Sequence, residues 1–142
     1  MTIQYNASVN NARADAANTP RNGGSRRLYT GTKPTHCADA LSGNTLVATG
    51  TFAATAFPAA SGTYGGSATS NAVTGANAVA SGTPTFYRDL ASDGTTCVSQ
   101  GDVGTDITVT PSAVVSGAAR QARLVVDGSR PLVEGVASTL LS

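Results

Sequence analysis

The chain has little charge and few of the residue types that carry catalysis. Charged residues make up 12% of its 142 residues, against roughly 25% in an average soluble domain. It has one histidine, one glutamate and no tryptophan. Its net charge of +1 gives no bulk attraction for nucleic acid, and no segment approaches the roughly 18 consecutive apolar residues of a membrane span. We therefore expect neither a nucleic acid nor a membrane as the partner.

The shortage of charge is concentrated in one stretch. Residues 40–87, a third of the chain, contain no Asp, Glu, Lys or Arg and consist mainly of Ala, Thr, Ser, Gly, Val and Asn. A soluble domain usually distributes charges of both signs over its surface. Two interpretations remain open: the stretch is a flexible low-complexity segment, or its surface lies against another subunit.

Large apolar side chains are also scarce. Leu, Ile, Val and Phe together number 26, or 18% of the chain. Disorder is associated with less than roughly 20% of these residues but also with a high net charge, which this chain lacks. We therefore expect one domain with a thin core of small side chains, in which contacts with neighbouring subunits supply part of the stability.

The candidates for catalysis and metal binding are weak. His36 and Cys37 are adjacent in a polar loop, where neighbouring side chains point apart, so they make a poor nucleophile–base pair. No Cys-x-x-Cys spacing supports a zinc site. Asp93, Asp102 and Asp106 do not follow the spacing of a calcium loop and are typical turn residues. We expect no catalytic residue, no metal and no cofactor, and hence a protein that is not an enzyme.

The two cysteines allow two arrangements. A disulfide between Cys37 and Cys97 would close a loop of some 60 residues and stabilise the fold by roughly 3–4 kcal/mol. Residues 1–11 do not resemble a signal peptide, so we expect synthesis in the cytosol, which argues against early oxidation. We therefore favour two small, partly buried thiols. A disulfide becomes the alternative if the protein belongs to an assembled particle that later leaves the cell.

The first 25 residues are predicted to form an N-terminal arm or weak helix followed by a loop. The helix would span Asn6–Asn18, with Asn6 or Ser8 as its cap and Val9, Ala12 and Ala16 as an apolar face. The first 34 residues carry five basic side chains and one acidic one. This basic front end has two interpretations, docking on an acidic protein surface or a solvated arm.

Residues 26–130 are predicted to form a β-sandwich body, and residues 131–142 a C-terminal strand or arm. Short runs rich in Val and Thr, separated by turn residues, predict strands. In the run before Leu90, Phe86 and Arg88 should share one face, with Tyr87 and Asp89 on the other. Asp93-Gly94 then predicts a hairpin with a type I′ turn. The pattern indicates an all-β fold, an antiparallel β-sandwich or jelly roll of about eight short strands. The predicted strands lie at 26–31, 45–52, 71–80, 83–90, 95–98, 106–110 and 122–126.

Several short motifs between about residue 28 and residue 115 carry a family resemblance. The first, Leu28–Pro34, reads Leu-Tyr-Thr-Gly-Thr-Lys-Pro, and the others are Gly43–Ala48, Phe52–Phe57, the hairpin Phe86–Thr96 and Gly101–Gly104. They resemble motifs of small virion proteins of tailed bacteriophages, and the chain as a whole is most similar to the jelly-roll capsid cement, or decoration, proteins of short-tailed phages.

This resemblance implies a structural virion protein located on the capsid surface. It would bind the outside of the shell built by the major capsid protein, stabilise contacts between capsomers, and self-associate as a dimer or trimer. The alternative is a tail or neck component, or a receptor- or glycan-binding module of the particle. The candidate interface residues are Ile3, Tyr5, Arg21, Arg26, Arg27, Phe57, Tyr64, Leu140 and Leu141.

Overall fold

The computed structural model describes residues 4–75 and 78–106, together with the backbone of three short strands beyond them. One helix is present in this part of the chain, and the other regular elements are strands and a single 3₁₀ turn, Thr19–Arg21. The elements are α1 (Ala7–Asn18), β1 (Ser25–Tyr29), β2 (Leu46–Thr51), β3 (Val73–Gly75), β4 (Phe86–Leu90), β5 (Cys97–Asp102), β6 (Thr108–Thr110), β7 (Arg123–Val125) and β8 (Leu140–Leu141).

The strands form one main sheet in the order β5-β4-β1-β2-β3-β8, and β6 pairs with β7 separately. Every pairing is antiparallel except that of β3 with β8, which is parallel. The described structure is thus mostly an antiparallel sheet with one short helix, which agrees with the all-β prediction. An eight-stranded sandwich or jelly roll is not confirmed.

Strand β1 lies at the centre of the sheet and is buried on both faces. Side chains alternate along a strand, so Arg26 and Leu28 lie on one face while Arg27 and Tyr29 lie on the other. Leu28 joins a core of mostly small residues, as the composition predicts. On the opposite face, Tyr29 stacks on Phe86 with ring centroids 5.4 Å apart. The core cluster that contains Leu28 also includes Val47, Ala48, Phe52, Ala56, Phe57 and Val73.

The N-terminal region is not an arm in its described part. The predicted helix is confirmed as α1, and Asn6 is its N-cap, because its side-chain oxygen accepts a hydrogen bond from the Ser8 amide at 3.0 Å. The loop that follows is bonded to the body: the Gly24 carbonyl accepts from Phe52 N at 2.9 Å. Residues 4–25 are therefore part of the folded domain.

The hairpin between β4 and β5 is present, but the predicted type I′ turn is wrong. Such a turn needs a positive φ at both central residues. Among the described residues only glycines have positive φ, and in this turn that residue is Gly94, with φ 72°. The Asp93 carboxylate instead accepts hydrogen bonds from the amides of Thr95 and Thr96, both at 2.8 Å. A six-residue connection organised by this carboxylate replaces the tight two-residue turn.

No helix within the described residues has the length and apolar character needed to cross a membrane.

Candidate functional site

Three charged side chains meet in the interior of the domain. The Asp89 carboxylate of β4 accepts from Arg26 Nε of β1 at 2.6 Å and from Arg26 Nη2 at 2.8 Å. It also accepts from Arg21 Nε, in the 3₁₀ turn after α1, at 2.9 Å, and from Ser99 Oγ at 3.2 Å. Asp89 is 0% exposed and Arg26 1% exposed. This buried cluster ties the N-terminal region to two neighbouring strands.

Aromatic rings complete the surroundings of Arg26. Its guanidinium carbon lies 4.6 Å from the ring centroid of Tyr87 and 5.4 Å from that of Phe52. Cations over aromatic faces are attracted by the ring quadrupole, more strongly when water is excluded. Tyr87 and Asp89 therefore face the same arginine, which confirms the predicted alternation in β4. Burial of the phenol, with the Arg26 charge acting in the opposite direction, raises the pKa of Tyr87 to about 12.

The buried charges stabilise one another in their ionised forms. Burial by itself would raise the pKa of Asp89, but the guanidinium groups of Arg26 and Arg21 outweigh it and lower that pKa below its ordinary value. Burial likewise works against the charge of Arg26, while Asp89 raises the pKa of that arginine overall. The cluster is therefore ionic at neutral pH.

This arrangement corrects part of the predicted interface. Arg21 and Arg26 are buried and bonded to Asp89, so they do not offer a basic docking surface, because their donors are directed into the domain. Phe57 is also buried, with its ring centroid 5.8 Å from the Arg21 guanidinium carbon. Arg27 is partly exposed. Only a charge count supported the docking interpretation, and a count does not reveal which side chains are enclosed.

A second arginine organises the opposite face of the sheet. Arg88 donates through Nη1 to the Asp39 carbonyl at 2.9 Å and through Nη2 to the His36 carbonyl at 3.3 Å. The same loop is joined to β5 by a disulfide between Cys37 and Cys97, whose Cα atoms are 5.6 Å apart. The interpretation that favoured free thiols is therefore wrong. His36 contributes its backbone here, and Cys37 is not a free nucleophile.

Helix α1 turns a mixed side inward: Ala14 and Asn18 are buried, and polar side chains beside them bond to a loop. Asp15 accepts from the Ala60 amide at 2.7 Å, Asn11 accepts from the Gly66 amide at 2.8 Å, and Asn10 Nδ2 donates to the Tyr64 carbonyl at 2.9 Å. The helix covers an irregular loop, whose backbone groups need hydrogen-bond partners. At Gly65, with φ 76°, a Cβ would overlap the Ala7 carbonyl, so glycine permits this close approach.

Part of the apolar surface of the helix faces outward. Val9 is 43% exposed and Ala12 and Ala16 are exposed, although the sequence pattern groups these three as the apolar face. Tyr5 before the helix is 51% exposed, and Tyr64, in the loop that the helix covers, is 85% exposed. We call these five residues the apolar contact surface. Arg13 borders this surface, with its guanidinium carbon 5.2 Å from the Tyr5 ring centroid.

The remaining candidates are only partly described. Ile3 lies outside the described residues. Leu140 and Leu141 form β8, which pairs with β3, and their side chains lie outside the description. Within the described residues, no group of three His, Cys, Asp or Glu side chains is placed to hold a metal ion.

Two features of the site, the inward side of α1 and the buried carboxylate, could have been recognised from the sequence. Asn11, Asp15 and Asn18 repeat at i, i+4 and i+7, the spacing of one helix face, and they mark the inward side of α1. Asp89 lies within a strand, where an acidic residue is unusual, and this points to a buried cationic partner.

Comparison with protein-family models, with curated proteins and with solved structures found no match for this chain.

We predict that Asp89→Asn destabilises the domain by about 3–5 kcal/mol, because it leaves two buried guanidinium groups without a counter-charge. The amide nitrogen would also face the donors of Arg21 or Arg26. Asp102→Asn is the matched control, since the Lys33–Asp102 pair is exposed and should contribute less than about 1 kcal/mol. Urea unfolding followed by circular dichroism measures both. Equal losses for the two variants would contradict a structural role for the buried cluster.

We also predict acid sensitivity below about pH 4. The pKa of Asp89 is lowered from 3.8 in the folded chain, and hydrogen bonds from Thr96 and Thr95 lower that of Asp93 to about 2. A carboxyl whose folded pKa is depressed stabilises the fold above its unfolded pKa, and this stabilisation is lost as the pH falls through the folded value. The free energy of unfolding should therefore decline from pH 4 to pH 2, and less steeply in Asp93→Asn. A free energy of unfolding that stays constant between pH 4 and pH 2 in the wild type would refute the lowered pKa values of Asp89 and Asp93.

Proposed function

We propose that the chain is a structural virion protein, a capsid cement or decoration protein that binds the outside of a phage head and stabilises contacts between capsomers. The resemblance of its motifs to those of small tailed-phage virion proteins supports this. The described surface and the bonds that hold it in place also support the proposal.

The observation that carries the proposal is the exposure of apolar side chains on α1. A surface helix normally turns its apolar stripe toward the core, whereas Val9, Ala12 and Ala16 face away from it. Tyr64 is 85% exposed in an uncharged loop that is bonded to Asn10 of the helix. Exposed apolar surfaces of this kind are typical of contacts with another protein. We propose that the apolar contact surface binds the protein shell of the virion.

The interior of the domain supports a role that depends on a fixed shape. The helix that presents the contact surface is anchored because Asn10 donates a hydrogen bond to the loop while Asn11 and Asp15 accept bonds from its amides. Arg21, next to the helix, is bonded to buried Asp89. A rigid surface loses little conformational entropy when it binds. Many such copies that bind only the assembled shell stabilise it by mass action.

We extend the proposal to the fold. In a jelly roll, a second layer packs against the main sheet. The pair of β6 and β7 is separate from the six-stranded sheet, and this separation favours assigning the pair to such a second layer.

A second candidate function is a receptor- or glycan-binding module in the tail or neck. Tyr64 favours it, because a highly exposed aromatic ring on a loop is suited to stacking on a sugar. Copy number separates the two functions. For a cement protein we predict hundreds of copies per particle, measured by quantitative gel densitometry of purified virions against the major shell protein. A handful of copies would support the tail or neck assignment, and absence from particles would refute both.

We further predict that charges placed on the apolar contact surface weaken shell binding. The variant Val9→Glu with Ala12→Glu should reduce co-sedimentation with undecorated shells at least 10-fold, because the carboxylates would be desolvated in the contact. The matched control, Thr35→Glu with Ala40→Glu, adds the same charge at exposed positions away from α1 and should bind normally.

Both variants should unfold at the wild-type temperature, and self-association is measured beside shell binding by sedimentation velocity. If only the dimer or trimer is lost, a second copy covers this surface and the shell is not its occupant. Normal shell binding by both variants would remove the apolar contact surface from the proposal.

A further inference from the structure

The loop of residues 32–44, here called the covering loop, has no helix or strand and is held by few contacts. It contributes no residue to the main apolar core, and Leu41 within it is exposed. Its attachment to the sheet therefore differs from that of the strands, which combine hydrogen-bonded ladders with core packing.

Polar contacts hold the loop at three places. Arg88 bonds to the carbonyls of His36 and Asp39, and Gln100 Nε2 donates to the Pro34 carbonyl at 2.7 Å. At one end of the loop, Lys33 Nζ lies 2.8 Å from Asp102 in a solvent-exposed ion pair. At the other end, Asn44 Nδ2 donates to the Thr30 and Thr32 carbonyls. Each such contact exchanges with water when the loop lifts, so its net contribution is modest.

The Cys37–Cys97 bond is the one covalent attachment described between this loop and the sheet. Both cysteines are partly exposed. A hollow beside them is lined by Ala38, Leu41, Arg88 and Thr95 among others. A small thiol can therefore approach the sulfur atoms without unfolding of the sheet, and access of this kind governs thiol–disulfide exchange.

We propose that the Cys37–Cys97 disulfide is a thiol-cleavable latch that fixes the covering loop over the Arg88 face of the sheet. A thiolate attacks one sulfur atom, the S–S bond breaks, and a mixed disulfide forms. A second thiol then displaces the protein sulfur. In sum, the protein disulfide and two thiols give two cysteine thiols and one small disulfide, and a disulfide oxidant reverses the reaction.

The two redox states then differ locally. In the dithiol state, which a reducing cytosol maintains, the covering loop opens and closes against its polar contacts alone. In the disulfide state it stays closed. The sheet remains intact in both states, because no residue of the loop takes part in the ladders of β1, β2 and β4 or in the apolar core. This latch is independent of the proposed virion role and is tested on the isolated chain.

Hydrogen–deuterium exchange with mass spectrometry tests the latch on the full chain, with and without dithiothreitol. The reporters are the amides of His36 and Asp39, which bond to each other's side chain and carbonyl. We expect exchange in residues 35–42 to accelerate at least 10-fold on reduction, while β1, β2 and β4 keep their protection. The double variant Cys37→Ser with Cys97→Ser should show the faster exchange regardless of dithiothreitol.

Three results would overturn the proposal. The first is unchanged exchange in residues 35–42 after complete reduction, since the polar contacts would then suffice. The second is a simultaneous loss of protection in the sheet, on reduction or in the double variant, which would make the bond a staple of the whole fold. The third is a native disulfide that dithiothreitol cleaves only after urea unfolds the chain.

Discussion

The structure depends above all on a single buried carboxylate. Asp89 is fully enclosed and accepts from two arginines that come from different parts of the chain, Arg21 after the helix and Arg26 in the central strand. Removing these charges from water is costly unless each is paired and hydrogen-bonded. The interaction therefore has a narrow geometric optimum, which sets where the 3₁₀ turn lies relative to β1 and β4. The position of α1 follows from it.

The helix shows how a small domain with a thin core distributes its polarity. Its inward side bonds to the backbone of an irregular loop through Asn11 and Asp15, while Val9 and Ala12 remain outside. Such a helix gains little from apolar burial in the isolated chain and is held by hydrogen bonds and by the buried ions beside it. The apolar material left outside is available for a partner, and this is the physical basis of the assembly role proposed for the protein.

Much of the architecture could be predicted from local sequence. The helix cap, for which the sequence offers Asn6 or Ser8, the alternation of β4 and the strands near Leu28 and Val47 each follow from short-range rules of capping and side-chain periodicity. The candidate site was less predictable. Of the candidate interface residues, Tyr5 and Tyr64 are exposed, whereas Arg21, Arg26 and Phe57 are buried. Basic residues in a polar segment are usually exposed to solvent. Nothing in the N-terminal sequence shows that two of these arginines bond to Asp89, more than sixty residues later.

The sequence by itself determined the strand-rich character of the domain, its small-residue core and its helix boundaries, because neighbouring residues set periodicity, caps and turn propensities. Tertiary structure alone decided three things: which side of α1 faces inward, which charges are enclosed, and that Cys37 and Cys97 meet across sixty residues of chain. Each is a long-range pairing. It depends on which elements the folded sheet brings together, and the separation of two residues along the sequence does not reveal whether they meet in the fold.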